Sequence, residues 1–204
     1  VAALGDAVSF YKIGLELLAS DGMGLARDLK AQGKDIFLDW KLHDIGETVR
    51  RAASVLARSG GDLLTVHAEP QVMAAAVAGR GEGSSLKILA VTVLTSLDDT
   101  DMAAMGVGDG AAAQVARLTG LTRAAGLDGI VCSPHEVAAM KAAWPNGYFV
   151  VPGVRPAGAE VGDQKRVMTP RAALDAGASM LVIGRPITGA ADPAAAAAAI
   201  AASL

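Results

Sequence analysis

Seven short, nearly uninterrupted apolar runs recur along the chain: VSFYKIG (8–14), DIFLDWKL (35–42), DLLTVHA (62–68), LKILAVTVL (86–94), GIVCS (129–133), YFVVPGV (148–154) and SMLVIGRP (179–186). Each has the length of a strand and is short for a helix. The alanine-rich segments between them carry apolar residues at helical spacing, as in Val49, Ala53, Leu56 and Ala57, or Val115, Leu118, Leu121 and Ala125. Strands of this kind, separated by helices, pair in parallel with both faces covered, so the fold class is read as α/β. A closed (β/α)8 TIM barrel takes eight such units and typically about 250 residues. This chain has 204 and opens at Val1 with a helical-looking segment ahead of the first run. The expectation is a single barrel domain over 1–204, N-terminally incomplete and lacking its first strand. An open doubly wound sheet is the competing architecture. Against it, no G-x-G-x-x-G follows the first run, and charged residues stand at the ends of several strands, as a barrel would place them.

With 52% hydrophobic residues and only 3% aromatic, the core must be built of small aliphatic side chains. Eighteen basic residues against twenty-one acidic give a formal charge of −3. No lysine or arginine run is long enough to follow a phosphate backbone, which argues against nucleic acid as a partner. No apolar run reaches the ~20 residues of a membrane helix, and no basic and apolar leader opens the chain. The expected setting is soluble and cytoplasmic, without a membrane partner. The single cysteine, Cys132 in GIVCS, excludes an internal disulfide and reads as a small buried strand residue. Near the end, Asp192 and Pro193 occupy good N-cap and N1 positions before an alanine run, which predicts a closing helix.

Charge intrudes where the second run ends. In IFLDWKL, strand alternation puts Ile36, Leu38, Trp40 and Leu42 on one face and Phe37, Asp39 and Lys41 on the other. The apolar face must meet the helices, so Asp39 and Lys41 point into the barrel at its carboxyl-terminal mouth, where barrel enzymes build their sites. Spaced about 7 Å along one strand face, they can pair once they lean together. A buried salt bridge of purely structural purpose adds little net stability, which favours a functional cluster. Lys12, in SFYKIG with Phe10 and Gly14 on its face, ends a strand in the same way. Asp44 lies past the strand end and can reach sideways; taken alone it reads as a helix N-cap. His43 reads as a supporting residue, since no histidine or cysteine stands at metal-ligand spacing from it. No metal site and no cofactor signature is found.

The last two strands lead into loops where barrels frequently hold phosphate. Gly184 permits close backbone approach, Arg185 supplies a bidentate guanidinium, and Arg155 and Gln164 can reach in from the preceding connection. That connection, from Arg155 to a helix starting near Thr169, is long and rich in glycine and charge, and is a lid candidate. Lys165 and Arg166 within it read as solvated loop residues.

Taken together, YKIG, the D-x-K-x-x-D of LDWKLHDIGET, VTVLTS, PGVRPAGAEVGDQKRVMTP and VIGRPIT resemble the bacterial orotidine 5′-monophosphate decarboxylase family over nearly the whole chain. D-x-K-x-x-D is shared with related sugar-phosphate enzymes, whereas G-x-R-P-x-G with G-D-Q-x-R marks this branch. The resemblance implies cofactor-free conversion of orotidine 5′-monophosphate to UMP and CO2 by a homodimer with sites at the subunit interface. It implies that Lys12, Asp39 and Lys41 form a charge network completed by Asp44 of the neighbouring subunit, with Lys41 as proton donor. It assigns Thr95 to the pyrimidine, Thr48 to the ribose across the dimer, and Arg155, Gln164, Gly184 and Arg185 to the 5′-phosphate. The family's ribose-binding aspartate, on a first strand of A-L-D type, has no counterpart here. Gly46-Glu47 stands where many members have Pro-Asn. Two alternatives stay open: a Mg²⁺-dependent sugar-phosphate decarboxylase or aldolase of the same superfamily, and a phosphate-binding barrel without catalysis.

Overall fold

Each of the seven apolar runs contains a strand: β1 Phe10–Ile13, β2 Asp35–Leu42, β3 Leu63–His67, β4 Lys87–Val91, β5 Gly129–Val131, β6 Tyr148–Val151 and β7 Met180–Leu181. The structure is a computed structural model and describes residues 1–156 and 167–204. The strands follow one another in chain order, β1 to β7. A doubly wound sheet would instead reverse its order at a switch point, so that competitor is set aside. The described residues divide into two compact units, one of Ser9–Val91 with Gly120–Gly129, the other of Val1–Val8, Thr92–Thr119 and Ile130–Leu204.

In the first unit β1, β2, β3 and β4 pair in parallel, Phe10 opposite Asp35, Phe37 opposite Leu63 and Leu63 opposite Lys87. Helices Gly22–Ala31, Gly46–Leu56 and Pro70–Arg80 make the connections. The last of these starts where Glu69 accepts from the amides of Gln71 and Val72, with Pro70 at the first position. Ile13, Leu29, Ile36, Leu38, Trp40, Leu56, Leu64 and Leu86 belong to one core cluster. Burying each such aliphatic chain stabilises the unit by about 1.5–3 kcal/mol. Two aspartates fasten strand starts in the same manner. Asp62 accepts from the Ile36 amide at 2.7 Å and from Lys30 Nζ at 2.9 Å. Asp128 accepts from the Ile88 amide at 2.8 Å and pairs with Arg80. Each carboxylate satisfies an amide at the beginning of the preceding strand and ties a helix cation to it.

In the second unit β6 and β7 are parallel, Val150 opposite Met180. Phe149 is wholly buried, its amide donating to Ser179 Oγ at 3.0 Å. Cys132 is buried and its amide donates to the Val150 carbonyl. The closing helix is Pro193–Ala202, with Asp192 accepting from the Ala195 amide. The 3-10 segment Ala2–Ala7, kinked at Gly5, packs against it. No helix among the described residues is long and apolar enough to cross a membrane.

Candidate active site

The charges at the strand ends converge on one carboxylate. Lys12 Nζ stands 3.1 Å from Asp39 Oδ2 and Lys41 Nζ 2.8 Å from Asp39 Oδ1. The Asp39 side chain is 14% exposed and the two lysine side chains 34% and 25%, so the carboxylate is sunk beneath the ammonium groups. Burial pushes the Asp39 carboxyl up, but the charge of Lys12 and the hydrogen bond and charge of Lys41 outweigh it, and the group lies below the ordinary value of 3.8. Asp39 is therefore an anion at neutral pH. One anion between two ammonium groups leaves the cluster with an excess of positive charge, poised for a negatively charged reacting centre. Gly14 makes room for this: a Cβ there would stand 3.0 Å from Lys12 Nζ.

Lys41 is not presented by simple strand alternation. Between Leu38, opposite Leu64, and Leu42, opposite Val66, β2 has two residues more than β3. This is a bulge. Within it Lys41 has φ 51°, the one positive φ outside glycine among the described residues. Its amide donates not to a β3 carbonyl but to Thr65 Oγ1, at 3.0 Å, and Thr65 Oγ1 in turn donates to Asp39 Oδ1, at 3.0 Å. Thr65 is fully buried. Sequence reasoning passed over it, the only cue being one hydroxyl in the aliphatic run LLTV. His67, at the end of the same strand, was passed over as well. Its ring lies 4.8 Å from that of His43. Burial, then the neighbouring His43 and Lys41, depress its proton affinity below the ordinary value of 6.5.

Asp44 and Thr48 are exposed, and among the described residues no hydrogen bond or ion pair joins either of them to the three-residue cluster. Helix Gly46–Leu56 has Ile45 as its N-cap with no side-chain cap, so Asp44 does not do the capping that its position suggests. Its Oδ1 accepts only from the next amide, that of Ile45, at 2.6 Å, and among the described residues it has no ion pair. Ile45 beside it is 72% exposed. Glu47, in the segment that departs from the family pattern, binds Arg50 and Arg51 of its own helix.

The remaining described candidates belong to the other unit. Thr95 is buried in the connection that follows β4. Arg155 follows β6; its amide donates to the Met168 carbonyl at 2.9 Å, and Val154 bridges Met168, tying the two ends of the long connection together. Gln164, with Lys165, Arg166 and most of the lid candidate, lies outside the described residues. Thr169 caps the helix Pro170–Asp175 that follows. Gly184 is exposed, a Cβ on it would meet nothing within 4 Å, and Arg185 opens the short helix Arg185–Thr188.

Parallel strands wound in chain order with helices between them, and a lysine-aspartate-lysine cluster at the strand ends, define an enzyme of the α/β TIM-barrel class. The model of the orotidine 5′-phosphate decarboxylase / HUMPS family matches residues 1–200, and the chain belongs to that family. It is 65% identical over 198 residues to the orotidine 5′-phosphate decarboxylase of Caulobacter vibrioides (strain NA1000 / CB15N), across 95% of this chain and 84% of that protein. To its counterpart from Bradyrhizobium sp. (strain BTAi1 / ATCC BAA-1182) it is 52% identical, across 100% of this chain and 84% of the relative. Among solved structures, orotidine 5′-phosphate decarboxylase from Lactobacillus acidophilus superposes with a TM-score of 0.79 at 38% identity, over 94% of this chain and 84% of that one. The chain is accordingly an enzyme of the decarboxylase class.

Proposed function

We propose that the chain decarboxylates orotidine 5′-monophosphate to UMP in pyrimidine biosynthesis without a cofactor, and that Lys41 is the proton donor. The observation that carries this reading is the half-buried carboxylate of Asp39 shared by Lys12 and Lys41 at 3.1 and 2.8 Å. When the bond from C6 to the carboxylate breaks, the electron pair stays on C6 in an orbital that cannot delocalise into the ring. An ammonium group fixed beside C6 stabilises that charge as it develops, then gives C6 its proton and is reprotonated from solvent. Asp39 keeps both lysines in place and lies near the departing carboxylate. Arg155, Gln164, Gly184 and Arg185 would bind the 5′-phosphate and Thr95 the pyrimidine, their binding energy ordering the site around the reacting ring.

The active form in this reading is a homodimer in which Asp44 and Thr48 serve the partner's site, Thr48 at the ribose. Asp44 is exposed beside the exposed Ile45, and Val55, 56% exposed, shares the Thr48 face of its helix seven residues on. The test is ultraviolet-monitored turnover of orotidine 5′-monophosphate in excess chelator, with Lys41→Ala in parallel. Turnover abolished by the substitution is expected. No turnover in chelator, with Mg²⁺-dependent reaction of a sugar phosphate in its place, would overturn the reading in favour of the sugar-phosphate branch.

A further inference from the structure

Resting on that reading of the cluster, we infer that Thr65 is a positioning residue whose one hydroxyl sets both the backbone of Lys41 and the carboxylate of Asp39. The bulge in β2 takes the Lys41 amide out of the ladder that the rest of the strand makes with β3. An amide removed from its ladder still needs an acceptor, and Thr65 Oγ1, at 3.0 Å, is that acceptor. Accepting there engages one lone pair of the hydroxyl and leaves its single proton to be directed elsewhere. The proton goes to Asp39 Oδ1, also at 3.0 Å.

Each oxygen of Asp39 then has a defined set of donors: Thr65 and Lys41 on Oδ1, Lys12 on Oδ2. The plane of the carboxylate, and with it the two ammonium groups, is fixed from below by a residue with no accessible surface. Thr65 also keeps Lys41 in its left-handed backbone conformation, from which the side chain returns to the carboxylate of the residue two before it. The neighbours of Thr65 along β3, Leu64 and Val66, are wholly buried aliphatics. Valine has the branched shape of threonine without the hydroxyl, so it would fill this fully buried site, and the hydroxyl is present for its hydrogen bonds.

Thr65→Val, which keeps the shape and removes both bonds, and Thr65→Ser, which keeps the hydroxyl, separate this role from packing. In Thr65→Val, kcat for orotidine 5′-monophosphate is expected to fall about tenfold to a hundredfold, because a reacting group is displaced rather than deleted. KM should change far less, and Thr65→Ser should restore most of kcat. In spectra of ¹⁵N-lysine-labelled protein, the Lys41 amide proton should shift upfield and exchange faster in the valine variant, and stay near its wild-type position in the serine variant. Wild-type kcat in Thr65→Val, or equal losses in both variants, would overturn the assignment. If Thr65→Val does not fold, Thr65→Cys replaces it, with smaller changes in the same directions from a weaker donor and acceptor. Should the wild-type protein not turn over orotidine 5′-monophosphate at all, the functional reading fails by itself. The Lys41 amide then decides the Thr65 assignment, a shift upholding it and an unmoved resonance overturning it.

Discussion

Lys41 meets two requirements that conflict. Its ammonium must reach Asp39, and its backbone must hold φ 51°, a conformation in which a side chain with a Cβ is strained. Strain of this kind, at a residue that the fold otherwise fixes, costs about 1 kcal/mol or more and is tolerated where function needs the geometry. Lys41→Gly and Lys41→Ala both remove the ammonium, but only glycine relieves the backbone. Although alanine is ordinarily the more favourable of the two, Lys41→Gly is expected to be the more stable by about 1 kcal/mol in denaturant titrations. An alanine variant of equal or greater stability would show that no strain is stored there. The sequence made Lys12, Asp39 and Lys41 legible because charge at the end of an aliphatic strand has few structural uses. It hid Thr65 because the role of that hydroxyl depends on register, and the bulge that sets the register leaves no mark in residue type. It also presented Asp44 as a cap, whereas Ile45 occupies that position in the fold.

At the scale of elements, the strands were legible from apolar run length, and the closing helix from Asp192 and Pro193. What a single dimension conceals is how closely two helices approach. A methyl group on Gly79, in helix Pro70–Arg80, would overlap the carbonyl oxygen of Arg50 in helix Gly46–Leu56, and would stand 3.0 Å from the Ala53 methyl. A methyl on Gly120, inside helix Gly110–Ala124, would meet nothing within 4 Å. Both residues look alike in sequence, and opposite outcomes are expected. Gly79→Ala should destabilise by about 1–3 kcal/mol through overpacking between two rigid backbones. Gly120→Ala should stabilise by about 0.5–1 kcal/mol, the usual advantage of alanine inside a helix. Thermal or denaturant unfolding of the two variants side by side checks both signs. The segment before β1 shows a further limit of periodicity. It is helical as expected, but as a short 3-10 turn interrupted at Gly5, since a glycine with positive φ ends the run.

At the scale of the whole molecule, the proposed dimer makes each site a joint product of two chains, and this can be tested without a structure of the complex. A chain carrying Lys41→Ala still offers Asp44 to a partner, and a chain carrying Asp44→Ala still has its own Lys41. Neither should be active alone. Random exchange between the two would make about half of the dimers mixed, each with one intact site, so about a quarter of wild-type activity should return. No recovery after verified exchange would place Asp44 within its own chain's site, and an Asp44→Ala chain active by itself would place it outside any site. The Asp128 clamp bears on how the molecule comes into being. Lys30 meets its carboxylate 32 residues further along the chain, whereas Arg80 waits 48 residues for Asp128. In a chain growing at about 5–20 residues per second, the second clamp closes on the order of several seconds after the first. From the completion of β4 at Val91 until Asp128 arrives, the Ile88 amide and the Arg80 guanidinium both lack their carboxylate. The nascent protein thus has a timed vulnerability, when β1 to β4 are complete in sequence but β4 is still unfastened, and that is the moment at which a chaperone would find the most to hold.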